Sequence, residues 1–409
     1  MNLDVANAAT DTGATPRTAS RAAHARASER RRVTALDITV LAGGIGPERA
    51  VSLESGRAVR DALVRVGHRV QLQDIDPDNL AALDIPADVV FIALHGEFGE
   101  DGTVQDLLDT RGVPYCGTGA AASRLAMDKV RAKKRFEEMG VPTPAYDMIH
   151  APDGASRDDV AGLVADVAAR FAVPAVVKPV ASGSSVDTHI ARTPSALQRA
   201  AADVADKYGA ALVEAYVDGP ELTVGILGDR ALPVCEIRTR REFYDYCAKY
   251  VDDDTQYLFA ATDGDGGDAR DGAGAGERAH AEQRAHAGGP ADACGGVSDA
   301  GVASVACGDD AARRVGAGSS GPRIDLPDAL LRRIQQLSLT AHRALGCTVF
   351  SRVDWMVDRH NRKPYALEVN TIPGFTAHSL LPKAAAMCGI TFDQLCQRIV
   401  ELSITGTRS

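Results

Sequence analysis

Two short apolar stretches near the C-terminus set the tightest constraint on this chain. Ser351-Arg352-Val353-Asp354-Trp355-Met356 and Leu367-Glu368-Val369-Asn370-Thr371-Ile372-Pro373-Gly374 both read as strands. A strand turns successive side chains to opposite faces, so Arg352 and Asp354 share one face, and so do Glu368 and Asn370. If the two strands are neighbours, three oxygen-bearing side chains, Asp354, Glu368 and Asn370, converge beside one guanidinium. Hard oxygen ligands of that kind suit Mg²⁺, which keeps some waters and takes substrate phosphates as remaining ligands. Two edge strands with solvated polar faces would carry the same pattern, so the rest of the chain has to decide.

Composition bounds the choices. The chain has 409 residues, enough for two or three domains, and 45% are hydrophobic. A net charge of −10 argues against a nucleic-acid-binding body. No run of eighteen apolar residues is present, so no membrane span is expected. The eight cysteines are scattered without a Cys-x-x-Cys pair, which suits a reducing, cytoplasmic setting rather than a zinc or redox motif.

Residues 1–35, rich in Ala, Ser, Thr and Arg, read as a disordered tail. Order is expected from Leu36. Strands Leu36–Leu41, His68–Ile75 and Asp88–Leu94 alternate with a helical pattern over Glu48–Val66, which implies a parallel sheet with crossover helices. Ligands gather beyond the carboxyl ends of such strands, so Glu48 and His95 are expected to face a common cleft. Val141-Pro142-Thr143-Pro144 breaks a helix that runs from Met127 to Met139. A second unit then offers strand Ala175–Pro179, a small-residue loop Ala181–Asp187, a helix Thr193–Tyr208 and strands Ala211–Tyr216 and Glu221–Leu227. A strand over Ala231–Ile237 leads to Phe243–Tyr250, a polar and aromatic loop placed over the site. From residue 264 to 320 almost no large apolar residue occurs, and this stretch reads as a disordered insertion. A helix Pro327–Leu345 precedes the two C-terminal strands.

The chemistry of these residues is coherent. Lys178 closes a strand before a Ser/Gly loop, which suits a triphosphate cradled by backbone N–H groups and a cation. Lys129 is a second phosphate candidate, although either lysine alone could be a surface charge. Arg352 and the N–H of Gly374 could stabilise an oxyanion. Ser379-Leu380 opens a helix, whose N-terminus favours a carboxylate. A nucleotide, a metal, an oxyanion and a carboxylate site together suggest phosphoryl transfer to a carboxylate, followed by attack on the acyl phosphate.

With these stretches in view, the chain resembles the ATP-grasp enzymes, and within them the D-alanine–D-alanine ligase family. The likeness rests on Gly43 to Gly56, Ala93 to Gly102, Met127-Asp128-Lys129, Val177-Lys178-Pro179, Gly183-Ser184-Ser185-Val186, Gly219-Pro220-Glu221, Phe243 to Tyr250, Asp254 to Tyr257 and Arg352 to Leu380. It implies a mixed α/β and α+β architecture: an N-terminal, Rossmann-like parallel-sheet domain over 36–128, a central ATP-grasp subdomain over 129–218, and a catalytic subdomain over 219–409 that carries the insertion. It implies ATP held by Lys129, Lys178, Glu214 and Glu221, the two glutamates at adenine and ribose. Two Mg²⁺ or Mn²⁺ ions would sit at Asp354, Glu368 and Asn370. Lys249 would reach the transferred phosphate. Glu48, Ser184 and Tyr250 would form a hydrogen-bonded set, with Glu48 pairing with the ammonium of the first D-alanine. His95 would lie near the substrates. Arg352 and Gly374 would steady the tetrahedral intermediate, and Ser379 with Leu380 would take the second carboxylate. The resemblance further implies a homodimer, with neither nucleic acid nor membrane as partner, making D-alanyl-D-alanine for peptidoglycan precursors.

The chain departs from the pattern in places. Ala181-Ser182 stand where Arg-Glu is common, Asp187 where glycine is usual and Cys247 where glutamate is frequent. Leu258-Phe259-Ala260-Ala261 replace a Pro-Ala run. A carboxylate at Asp187 facing phosphate oxygens is expected to weaken nucleotide binding by about 1 kcal/mol, unless it points to solvent. A non-catalytic relative would keep the same fold, but the complete metal and lid sets argue against it. A ligase forming the ester with D-lactate would share most of the set, and Tyr250 favours the amide.

Overall fold

The structure, a computed structural model, describes residues 35–150, 157–241, 255–260 and 323–405. The tail over 1–34, the loop Phe243–Tyr250 and the insertion over 264–320 lie outside the described residues, and with them Lys249, Tyr250 and Cys247.

The first sheet is parallel, in the order β2-β1-β3, with β1 Asp37–Gly43, β2 Arg69–Ile75 and β3 Val89–Ile92. Helix α1, Arg49–Val66, provides the first crossover and ends at Gly67, whose left-handed φ of 110° lets the N–H turn back to the Leu63 and Val64 carbonyls. Helices α2 Thr103–Arg111, α3 Ala120–Met127 and α4 Lys129–Glu138 follow. The sequence pattern did not separate α2 and α3, whose short apolar stripes lie in alanine- and glycine-rich surroundings.

The second sheet is antiparallel, in the order β4-β7-β5-β6: β4 Tyr146–His150, β5 Ala175–Pro179, β6 His189–Ala191 and β7 Ala210–Ala215. Helices α5 Arg157–Ala168 and α6 Pro194–Tyr208 accompany it. The start of α6 follows from local chemistry: Thr193 is extended, its hydroxyl accepts the Ala196 N–H, and Pro194 occupies the first turn, where an N–H would be unpaired anyway.

The third sheet is antiparallel, β11-β10-β8-β12-β13, with β9 on β8. Its strands are β8 Glu221–Leu227, β9 Arg230–Ala231, β10 Cys235–Arg238, β11 Gln256–Phe259, β12 Phe350–Val357 and β13 Pro364–Asn370. The single strand expected over Ala231–Ile237 is therefore two. Pro233 lacks the N–H that a ladder needs, and the Leu232 N–H goes to Gly225 O at 2.8 Å. Helix α7, Asp328–Ala344, packs on this sheet, with Trp355 Nε1 donating to Ser338 Oγ at 2.9 Å.

The chain's last elements, α8 Leu380–Ala386 and α9 Phe392–Thr405, return to the first sheet. Leu395, Ile399 and Val400 of α9 share a buried cluster with Val59 and Leu63 of α1 and Phe91 of β3. Arg65 clasps Asp393 at 2.6 Å on the rim of that contact. At its centre Phe375 meets Phe91, Phe350 and Phe392 at ring-centroid distances of 5.5, 5.8 and 5.7 Å. Phe375 lies within the loop over 371–379 that follows β13, so this loop is anchored by the core. Phe375→Ala is expected to cost about 3–5 kcal/mol of unfolding free energy, measured by urea denaturation. A loss under 1 kcal/mol would mean that the cluster is not a support of the fold.

Candidate active site

Strand pairing brings the polar residues of β12 and β13 together. In β12 and β13, Arg352 lies opposite Asn370 and Asp354 opposite Glu368, with a register shift just after Asp354. The convergence expected from period two is present. The Arg352 guanidinium makes a forked contact with Asp354, Nε to Oδ1 at 2.9 Å and Nη2 to Oδ2 at 2.7 Å. Thr223 Oγ1 donates to Asp354 Oδ1 at 2.6 Å, and Asn370 Nδ2 donates to Oδ2 at 2.9 Å. Glu368 lies 3.4 Å from the Lys129 ammonium.

One face of these strands is shared by two adjoining cavities. The larger, about 770 Å³, is lined by Lys129, Lys178, Glu214, Glu221, Asp354 and Glu368 among others. The smaller, about 260 Å³, is lined by Glu48, His95, Ser184, Arg352, Asn370, Gly374, Ser379 and Leu380 among others. A recess of about 20 Å³, lined by Lys129, Gly183, Glu368 and Asn370 among others, touches residues of both. So successive cross-strand pairs on one face of the ladder reach different compartments: Asp354 and Glu368 the larger, Arg352 and Asn370 the smaller.

The smaller cavity is built from loops at the carboxyl ends of the first sheet. The β1–α1 turn, through Gly43, Gly44 and Gly46 at φ of 99°, 78° and 81°, delivers Glu48. Ser184 Oγ donates to Glu48 Oε1. Gly96, at φ 67°, sits so close to Glu48 Oε2 that any side chain there would collide with the carboxylate. His95 is buried, with Nδ1 3.1 Å from Ile372 O and Nε2 3.1 Å from Ser55 Oγ. The Ser379 hydroxyl accepts the Thr376 N–H at 3.0 Å, beside Gly374. Glu100 was not singled out from the sequence. It lines the smaller cavity and the recess, 3.9 Å from His95 Nδ1, and burial pushes its carboxyl up.

In the larger cavity, Lys129 Nζ donates to Ser182 O at 2.7 Å, fixing the start of the small-residue loop. Glu214 lines this cavity and is itself nearly enclosed. It is 2% exposed, and each of its oxygens holds a lysine: Lys133 at 2.5 Å and Lys178 at 2.6 Å. Lys133 was missed from the sequence. The available signal was its place one turn after Lys129, on the helix face that also carries Phe136.

The loop after β5 corrects one expectation. Asp187 does not line the larger cavity; Lys207 Nζ lies 2.6 Å from its carboxylate and the Tyr208 hydroxyl donates to it, which holds its carboxyl below the usual range. With its carboxylate held by α6, Asp187 is not expected to repel phosphate. Ser184, Ser185 and Asp187 all adopt left-handed backbone, φ 49°, 58° and 50°, so the loop is held in a costly shape by Glu48 at one end and Lys207 at the other. Asp187→Gly is expected to leave the KM for ATP within about twofold of wild type at low and high salt, since an exposed pair contributes little. A clear, salt-sensitive gain in affinity would restore the repulsion account.

Residues 136–265 and 317–401 match the family model described as D-ala D-ala ligase C-terminus, and 68–118 match D-ala D-ala ligase N-terminus. The first model passes over 266–316, nearly the stretch read as an insertion. The D-alanine–D-alanine ligase of Anaeromyxobacter dehalogenans is 35% identical over 365 residues, 89% of this chain and 96% of that protein. The namesake from Gloeobacter violaceus is 38% identical over 369 residues, 90% and 99% of the two chains. Among solved structures, a D-alanine–D-alanine ligase from Bacillus anthracis complexed with ATP aligns with a TM-score of 0.62 at 26% identity, covering 90% of this chain and 98% of that one. Matched over about nine-tenths of its length by such relatives, and by both ligase models over 68–118, 136–265 and 317–401, the chain belongs to the D-alanine–D-alanine ligase family.

Proposed function

We propose that the chain joins two D-alanines at the expense of ATP, through an acyl phosphate. The observation that carries this reading is the shared face: one strand pair presents Asp354 and Glu368 to a cavity of about 770 Å³ and Arg352 and Asn370 to one of about 260 Å³. The first volume suits a nucleotide and the second a pair of small amino acids. A phosphoryl group moving between them travels along this shared face.

In this reading Glu48 pairs with the ammonium of the first D-alanine and turns its carboxylate toward Arg352. Lys129 and Lys178 hold the phosphates, with Glu221 at the ribose end of the same cavity. A carboxylate oxygen attacks the γ-phosphorus and the bond to ADP breaks. The amine of the second D-alanine, its carboxylate held at Ser379 and Leu380, then attacks the carbonyl carbon. The tetrahedral oxyanion is stabilised by Arg352 and the Gly374 N–H, and the C–O bond to phosphate breaks as the amide forms. The two protons shed by the attacking ammonium go to the departing phosphate and to solvent. His95, tied to Ser55 and the Ile372 carbonyl, shapes the substrate wall.

Asp354, Glu368 and Asn370 would hold Mg²⁺ or Mn²⁺. Among the described residues no group of three His, Cys, Asp or Glu side chains forms a metal cage. Two carboxylates and an amide oxygen fit an ion that completes its shell with water and phosphate oxygens. When bound, the ion supplies neutralisation of charge on the phosphates.

The test is phosphate release from ATP by the purified protein with D-alanine, against L-alanine and D-lactate. Release that depends on D-alanine is expected. Release only with D-lactate, or none with any acceptor, would sink the reading. Among the described residues no helix is long and apolar enough to cross a membrane.

A further inference from the structure

We propose that Lys133 is a positioning residue for the nucleotide: by holding the Glu214 carboxylate, it leaves Lys178 able to turn to the phosphates. This inference rests on the reading of the larger cavity as the ATP site.

Three elements bring the group together. Lys133 comes from α4, Lys178 from β5 and Glu214 from β7. Glu214 pairs in register with Val176, so Lys178 is its diagonal neighbour on the same face of the sheet. Lys133 is fully buried. Its Nζ lies 2.5 Å from Glu214 Oε1 and donates to Thr143 Oγ1 at 2.6 Å. Thr143 donates in turn to Ala366 O at 2.9 Å, on β13 two residues before Glu368. The other oxygen of Glu214 lies 2.6 Å from Lys178 Nζ. Glu214 and Lys178 line the larger cavity; Lys133 does not.

The physical reason lies in the cost of a bare buried carboxylate. A buried charge deprived of its partner is strongly destabilising. Were Lys178 the sole counter-ion of Glu214, its ammonium could reach a phosphate only by leaving that carboxylate uncompensated. Lys133 removes the conflict. Two cations share one anion, so one positive charge remains for the triphosphate while Glu214 stays paired. Burial opposes charge on Lys133 and pulls its pKa down, while Glu214 works in the opposite direction; Glu214, which burial alone would push up, is held low by both lysines. Lys133 touches no substrate in this account and acts through Glu214.

The experiment is calorimetric binding of Mg-ATP, without D-alanine, to wild type, Lys133→Met and the double variant Lys133→Met/Glu214→Gln, each checked for folding by urea denaturation. Lys133→Met is expected to weaken binding about tenfold or more, because Glu214 then competes for Lys178. The double variant is expected to return to within about threefold of wild type, because a neutral amide releases Lys178. Rescue by a second substitution separates positioning from simple structural damage. If Lys133→Met does not fold, the double variant decides: near-native binding supports the inference and a loss beyond about tenfold overturns it. A folded Lys133→Met that binds like wild type overturns it, and so does a double variant weaker than the single, which would instead place Glu214 in direct contact with nucleotide. Failure of wild type to bind Mg-ATP would overturn the ATP-site reading, and this inference with it. Wild-type binding beside an unaffected Lys133→Met overturns this inference alone.

Discussion

Glu368→Gln is expected to lower kcat by about two to three orders of magnitude while the protein stays folded. Glu368 stands opposite Asp354 across the β12–β13 ladder, lines both the larger cavity and the recess between the two compartments, and lies 3.4 Å from Lys129. Glutamine keeps its volume and one oxygen but removes the charge. A site that works by fixed charge on a moving phosphoryl group depends on that charge more than on any covalent step. The side chain is only partly buried, so the unfolding midpoint in urea is expected to stay near that of wild type. Wild-type-like turnover in a folded Glu368→Gln would remove the metal assignment.

Arg352→Lys is expected to cost about a hundredfold in kcat, despite retaining the charge. The guanidinium reaches Asp354 through two parallel N–H bonds while lining the smaller cavity. An ammonium is a point charge and cannot reproduce that fork. The loss should fall mainly on kcat, because the proposed role is on an oxyanion that the ground-state carboxylate does not form. A change below about fivefold would mean that neither the fork to Asp354 nor the oxyanion contact requires a guanidinium.

The parts of this site that were legible in the sequence share a cause. Arg352, Asp354, Glu368 and Asn370 sit on two strands close in the chain, so period two alone set their faces, and pairing did the rest. Lys178 ends a strand before a loop of small residues, a local pattern as well. Glu48 and His95 follow strands of a parallel sheet, where topology places loops at one edge. What was hidden depends on distant elements. The Lys133–Glu214–Lys178 group joins a helix and two strands, and no single segment records it. Asp187 was misread because its partners, Lys207 and Tyr208, arrive on the far end of α6. The return of α9 to the first sheet left no trace beyond an amphipathic stripe, which any surface helix would show.

The chemistry at the shared face can be followed by the fate of one oxygen. With D-alanine labelled by ¹⁸O in its carboxylate, and ATP and Mg²⁺ supplied, mass spectrometry of the products reads both halves of the reaction. Transfer through an acyl phosphate moves one carboxylate oxygen into inorganic phosphate for each D-alanyl-D-alanine formed. The expected result is dipeptide and singly labelled phosphate in equal amounts. Dipeptide accompanied by unlabelled phosphate would contradict the passage of a phosphoryl group between the two cavities.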